Sequence, residues 1–287
     1  LKTISVAHSP DADDIFMYYA IKFGWVTPKD AVFQNIADDI ETLNQATLKG
    51  EYDICAISFA LYPFVKEDYA LLKTAVSFGN GYGPKLIKKK GSKLKRNFKV
   101  ALSGEFTTNA LLFKIAYPDA RITYMNFLEI EDAVLNGDVD AGVLIHESIL
   151  TYNEALEVEK EIWDIWQELA GTELPLPLGG MCLRRSLPLH AAIDYEQTLI
   201  KAVKVANSNK HLLSKMLIDQ GLIRVDAPTL DKYLDLYAND DSIELSELQY
   251  DALDKLYELG YKHGFYETLI KSRDFLIPTQ YEEFRAQ

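Results

Sequence analysis

The feature that most constrains this chain is a pattern that occurs twice. Ile40 to Tyr62 (IETLNQATLKGEYDICAISFALY) and the stretch closing on GDVDAGVLIHESILTY at Tyr152 each run from an amphipathic helix to a helix-ending glycine, Gly50 or Gly137. An aspartate follows three residues on in each, Asp53 or Asp140, and then an apolar strand that stops at a polar side chain, Ser58 or His146. The glycine-to-end spacing is eight in one copy and nine in the other, so this is a structural echo and not an exact repeat. Small and branched apolar residues such as Ala141 to Ile145 read as a buried parallel strand. Two such units predict two similar α/β lobes whose strand ends face one another across a cleft. Helix, glycine, strand is also how any α/β unit is punctuated, so the pattern alone leaves a single domain open. Ligands in open α/β sheets bind beyond the carboxyl ends of strands, which singles out Ser58 and His146. A lone histidine in that position is also an ordinary structural residue.

With 287 residues the chain has room for two lobes, each burying its own core. Its 48% apolar and 25% charged residues are those of a soluble globular protein, and no apolar run approaches the roughly 20 residues that span a bilayer. The first residues, LKTISVAHSP, enter a strand pattern without a signal-like stretch, which leaves a removed leader open and gives a cytoplasmic expectation. A net charge of −13 argues against nucleic acid as a partner. The seven basic residues of Lys85 to Arg96 are a local exception, read as a solvated ribbon because no aromatics interleave to stack on bases. Cys55 and Cys182 lie in apolar strand-like runs and read as buried thiols, with no disulfide framework and no metal spacing.

Taken in order, Lys2 to His8 is a first strand, and Ser9-Pro10-Asp11-Ala12-Asp13-Asp14 opens a helix that closes near Gly24. Aspartates there cap backbone N–H groups; equally, Ser9 and Asp14 can line the cleft and bond substrate hydroxyls. His8 reads as a packing residue. A strand at Ala31 to Ile36 precedes the first copy of the echo, and a helix and strand follow it, interrupted by Pro63. Gly79-Asn80-Gly81-Tyr82-Gly83-Pro84 suits a hinge or cleft-lining loop, with Asn80 a candidate substrate contact, and is no dinucleotide fingerprint because a basic strand follows it. After the strand at Phe98 to Ser103, Gly104-Glu105-Phe106-Thr107-Thr108 leads into a helix whose N-terminus offers N–H groups and a favourable dipole to a carboxylate or phosphate. Capping accounts for one of the two threonines, Thr107 and Thr108. From Asn153 the pattern reads as helical, with Trp163 and Trp166 on one face, followed by the rigid and then permissive Leu174 to Gly180 and a strand MCLRR. Extended crossings near 84–90 and 178–185 suit one lobe inserted in another, residues 89–177 within a larger lobe of 1–88 and 178–287. The remainder reads as helices at Tyr195 to Gln220, Thr229 to Tyr237 and Ser246 to Leu259 with Gly260 behind it; His190, His211 and His263 lack convergent partners in this pattern.

These residues resemble the 1,4-dihydroxy-6-naphthoate synthases of the futalosine route to menaquinone. The likeness rests on SPDADDIFMYYA, IETLN with AISFALY, GNGYGP, GEFTTNALL, GVLIHESILTY and LPLPLGG, in family order over roughly residues 5 to 185. HES-x-x-TY beside LPLPLGG is its most specific part. Where members carry SPCPND this chain reads SPDADD, matching at Asp14. The resemblance implies an α/β fold of the type II periplasmic-binding-protein kind, two lobes around a central cleft with a helical C-terminal region. It implies a carbon–carbon lyase acting on cyclic dehypoxanthine futalosine, a small-molecule carboxylate, without metal or organic cofactor. His146 would be the general base, Thr107 and Thr108 would hold the carboxylate, and Ala56, Ile57 and Ser58 would bond the substrate from the other lobe. An imidazole, with an ordinary pKa of about 6.5, suits a base near neutrality. Glu147, next along an extended strand, would point away from His146.

Two other readings compete. The same architecture hosts solute receptors for small carboxylates or aromatic anions, although a receptor gains little from a base in its cleft. The chorismate dehydratase of the same pathway shares the fold, and the HES-x-x-TY stretch fits it worse. If the protein assembles, a homodimer is the default.

Overall fold

The computed structural model describes residues 1–9, 12–223 and 225–278, so Pro10 and Asp11 of the first loop lie outside the described residues. Its elements are β1 Lys2–His8, α1 Ala12–Lys22, β2 Ala31–Ala37, α2 Ile40–Leu48, β3 Ile54–Ser58, α3 Tyr62–Val65, β4 Tyr69–Leu71, β5 Ser77–Gly79 and β6 Lys85–Lys89. There follow β7 Lys99–Leu102, α4 Thr108–Ala116, β8 Arg121–Tyr124, α5 Ile130–Asn136, β9 Ala141–Leu144, β10 Leu156–Glu161, α6 Ile162–Ala170 and β11 Leu176–Arg184. Four helices follow among the described residues, α7 Leu189–Ser208, α8 Lys210–Asp219, α9 Ala227–Tyr237 and α10 Glu247–Lys262.

The strands divide between two sheets. One has the order β2-β1-β3-β11-β4 with β5 also on β11, and the other the order β10-β6-β9-β7-β8. All strands of the second sheet fall, in chain order, between β5 and β11 of the first. The first passage comes ahead of Lys85, because the whole of β6 pairs within the second sheet, and the expected boundary after residue 88 would cut that strand. The chain is back in the first sheet by Leu176.

The echo proves to be the same local device in both lobes. Gly50 and Gly137 end their helices with φ of 68° and 82°, the left-handed conformation that glycine takes without strain. Each aspartate then ties the start of its strand to the parallel neighbour. Asp53 accepts the N–H and hydroxyl of Ser5 on β1, at 2.9 and 3.0 Å, and Asp140 accepts the N–H of Lys99 at the head of β7, at 2.8 Å. In both lobes the parallel pair is fixed at its amino ends, so the carboxyl ends, Ser58 and the residues after Leu144, are the ones that open on a cleft.

Several expectations change. Residues 156–161 (LEVEKE) form a strand where a helix was expected from Asn153: β10 lies antiparallel on the basic β6, with Leu156 buried. The acidic strand answers the basic one, with Lys88 at 3.7 Å from Glu157 and 2.6 Å from Glu159, and Lys85 at 3.4 Å from Glu161. The first part of the basic run is thus a strand paired on both sides and not a solvated ribbon. Leu176 to Gly180 belongs to β11 itself, Pro177 being accommodated where the pairing with β5 shifts register. Tyr195 to Gln220 is two helices, broken at Asn209, whose side-chain amide caps the Val205 carbonyl at 2.9 Å. Gly260 sits inside α10, where a β-carbon would lie 2.1 Å from the Tyr266 ring. Trp166 is fully buried, whereas Trp163 is only half-buried. Among the described residues no helix is long and apolar enough to cross a membrane.

One buried acid makes stability depend on pH. Glu196 of α7 is 1% exposed and accepts the Lys73 N–H at 3.1 Å. Burial pushes its carboxyl from 4.5 up to about 7, against the pull of that hydrogen bond and of the Lys73 charge. The fold therefore prefers the protonated acid: its contribution is fully present below the ordinary carboxyl value and is lost as pH rises through about 7. Tm should fall between about pH 5 and about pH 8, and Glu196→Gln should flatten that part of the profile; equal slopes for both proteins would show that other groups set it.

Candidate active site

The cleft between the lobes holds a cavity of about 100 Å³ that is open to solvent. From the first lobe it is lined by Ser9, Asp14, Ala56, Ile57 and Ser58, and from the second by Thr107, Thr108, Asn109 and His146. Eight of the nine residues singled out from sequence thus meet in one cavity. Asn80 does not. It is exposed beside Tyr82, Asp241 and Gln249 on another face, because the turn after β5 doubles back so tightly that a β-carbon on Gly79 would lie 2.1 Å from the Tyr82 carbonyl oxygen.

Backbone strain marks the same place. Among the described residues only Ala75 and His146 combine a side chain with positive φ, 55° in each, and both line the cleft. Residues held there cost of order 1–3 kcal/mol and persist where the surroundings enforce them, commonly at functional sites. β9 ends at Leu144, Ile145 is extended, and His146 turns left-handed into a single 3₁₀ turn over His146–Ile149. The expected strand therefore stops short of the histidine, and Glu147 lies in this turn and not on a strand, so alternation does not set its direction. The imidazole is half-buried and packs edge-on against Phe127, with centroids 5.0 Å apart at 73°.

On the facing lobe Ser58 ends β3 and is held by a residue that the sequence pattern does not single out. Asn44 of α2, fully buried, accepts the Ser58 N–H at 3.0 Å and donates to its hydroxyl at 3.1 Å. Asn44 comes one turn after Glu41 in IETLN, so the only signal was a polar side chain on the buried face of an amphipathic helix. Asp14 accepts the Ser9 N–H at 3.0 Å and lines the cleft. His8 is buried behind them, stacked on Tyr18 with centroids 4.9 Å apart, its Nδ1 donating to the Ser9 carbonyl at 2.7 Å and its Nε2 meeting the Asn35 amide.

The two threonines differ in their work. Thr107 is the N-cap of α4: its hydroxyl accepts the Ala110 N–H at 3.2 Å and donates to the Gly104 carbonyl at 3.1 Å. Thr108 bridges the lobes, accepting the Ala60 N–H at 3.3 Å and donating to the Leu178 carbonyl of β11 at 3.2 Å. Past the cap, the first-turn N–H groups have no intrahelical acceptor and carry the positive end of the helix dipole. Asn109 beside them is 5% exposed, lines the cleft, and has a side-chain oxygen with no hydrogen-bond partner in the protein. Such a group, costly when buried alone, marks a place for a polar ligand. Tyr233 of α9 closes the wall near the histidine turn, a contribution that nothing in an amphipathic helical pattern would single out.

The profile of a family described as menaquinone biosynthesis matches residues 4–262. The chain is 31% identical over 258 residues to a 1,4-dihydroxy-6-naphtoate synthase of Streptomyces coelicolor, an alignment covering 88% of this chain and 90% of that one. To the enzyme of the same name from Thermus thermophilus it is 30% identical over 190 residues, 65% of this chain and 68% of that one. Among solved structures it resembles protein AF1704 of Archaeoglobus fulgidus, with a TM-score of 0.84, 34% identity, and coverage of 91% and 98%. The periplasmic aliphatic sulphonate binding protein SsuA of Escherichia coli shares the two-lobed fold at a TM-score of 0.65 and 14% identity, covering 100% and 96%.

Proposed function

The chain belongs to the menaquinone-biosynthesis family, and from that premise we propose that it is a 1,4-dihydroxy-6-naphthoate synthase, a lyase acting on cyclic dehypoxanthine futalosine with His146 as general base. The observation that carries this reading is the left-handed His146 at the mouth of the cavity that Ser58 enters from the other lobe. A solute receptor has no use for a strained imidazole there, and the relatives with substantial identity carry an enzyme's name.

The substrate carboxylate lies at the N-terminus of α4, on the first-turn N–H groups. Ser58, held by Asn44, Ser9 and Asp14 bond the oxygens of the sugar-derived part from the first lobe. His146 takes a proton from the substrate. The electron pair released breaks the carbon–carbon bond to the sugar-derived fragment, and the remaining ring becomes aromatic. Closed lobes exclude water during this step. The same reading puts the reaction in the cytoplasm.

The test is turnover of cyclic dehypoxanthine futalosine by purified, chelator-treated protein, with the naphthoate product followed by absorbance and mass. Product is expected without added metal. A folded protein that binds the compound and leaves it unchanged would favour the receptor reading.

A further inference from the structure

One carboxylate reaches from the first lobe onto the loop that leads into the anion site, and the cleft chemistry does not use it. Glu41 stands in the first turn of α2, behind the N-cap Asp39. Its side chain crosses to the second lobe, where Oε2 accepts the Phe106 N–H at 3.3 Å and the carboxylate also takes the Glu105 N–H. Phe106 immediately precedes the cap of α4. On its own side Gln45 donates to Oε1 at 3.0 Å and Asn44 to Oε2 at 3.4 Å. Asn44 is the residue that fixes Ser58. A continuous set of hydrogen bonds thus runs from the loop before α4 through Glu41 and Asn44 to the strand end of the other lobe.

The receiving loop is shaped for this carboxylate. A β-carbon on Gly104 would lie 2.2 Å from Oε2 and 2.6 and 2.7 Å from Cδ and Cβ of Glu41. No side chain fits there while Glu41 is docked, although Gly104 has no positive φ that would itself call for glycine. The glycine is needed by the neighbour and not by its own backbone. Burial raises the Glu41 carboxyl above its ordinary value, against hydrogen bonds from Gln45, Asn44 and the two amides, so the group has left water to make this contact.

We propose that Glu41 is a positioning residue, a latch that closes the first lobe onto the Gly104–Phe106 loop and so sets the anion-binding turn of α4 in register with Ser58. The proposal rests on the cleft reading only in calling that turn an anion site; the latch itself is a contact between lobes. It follows that Glu41 touches neither substrate nor reacting atoms, and that its loss loosens the cleft without changing the base. Losing hydrogen bonds to a charged group should weaken binding of a cleft ligand by about tenfold or more.

The experiment measures the separation of the lobes. Because Cys55 and Cys182 are fully buried, spin labels go to Val32→Cys and Asp138→Cys, one exposed position on each lobe, and distances are read by pulsed electron resonance in the free protein. The parent should give a narrow distribution. Glu41→Ala should shift it to longer, broader separations, with Glu41→Gln, which keeps one acceptor, in between. Gly104→Ala, which leaves Glu41 in place and blocks its seat, should open the cleft likewise, and adding it to Glu41→Ala should open it no further. Calorimetric titration with 2-naphthoate, an aromatic carboxylate probe, should show the tenfold loss in the same variants. Superimposable distributions across these folded proteins would overturn the latch. A parent that fails to bind 2-naphthoate would count against the carboxylate reading of the cleft, while the distances still decide the role of Glu41.

Discussion

His146→Asn is expected to lower kcat by about a thousandfold while leaving the Kd of a cleft ligand within about tenfold of the parent. Asparagine is the informative replacement because it is one of the few residues that tolerates the left-handed conformation recorded at φ 55°. The 3₁₀ turn and the packing of Ile149 behind it are then kept, and the change falls on the imidazole. An amide has no proton affinity near neutrality, so a step that needs a proton removed loses its acceptor. Loss of the edge-on contact with Phe127 carries a smaller effect, of the order of 1 kcal/mol, which falls on binding or stability and not on the chemical step. The two contributions separate in single-turnover kinetics combined with equilibrium titration. Parallel losses of binding and turnover would mean that His146 shapes the cleft and does not act as its base. His146→Ala is a poorer test, since alanine pays for the left-handed backbone as well.

How much of this was legible in the chain depends on the range of the interaction. The echo was readable because it is local: a glycine that must be left-handed and an aspartate at a strand head sit at fixed spacing whatever surrounds them, and Asp53 and Asp140 turned out to do the same job. The strand end Ser58 followed from it, and His146 stands two residues past the end of β9. What could not be read was pairing between distant segments. LEVEKE looks helical by composition and becomes a strand because β6 offers Lys85 and Lys88 to its glutamates. Asn80 looked like a site residue inside a glycine-rich loop, and the tight turn at Gly79 sends it to another face. Gly104 carried the most misleading signal of all. It reads as a turn glycine, whereas what forbids a side chain there is Glu41, 63 positions earlier in the chain and on the other lobe.

The same distinction governs the second large effect. Thr107→Val together with Thr108→Val should raise KM for the carboxylate substrate by about 10- to 100-fold and leave kcat at saturation far less changed. The hydroxyls act indirectly, since each is already bonded within the protein. Without the Thr107 cap the first turn of α4 loses about 1 kcal/mol, and the N–H groups that would meet the carboxylate are no longer held in place. Without the Thr108 hydroxyl, the Ala60 N–H and the Leu178 carbonyl, both on the first lobe, lose their partner across the junction, at a cost of about 1–3 kcal/mol for a buried unpaired group. Valine matches threonine in shape, so neither substitution leaves a void. Both costs are borne by the closed, ligand-ready form; an open cleft lets water take the place of the Thr108 hydroxyl. A bound substrate therefore has to supply the closure that the free protein no longer holds, and the loss registers as weaker binding. Single variants divide the effect. Thr107→Val should lower Tm and shift KM together, whereas Thr108→Val should shift KM and widen the separation of the lobes. An unchanged KM in the double variant, with Tm lowered as a lost cap requires, would remove the N-terminus of α4 from the substrate site.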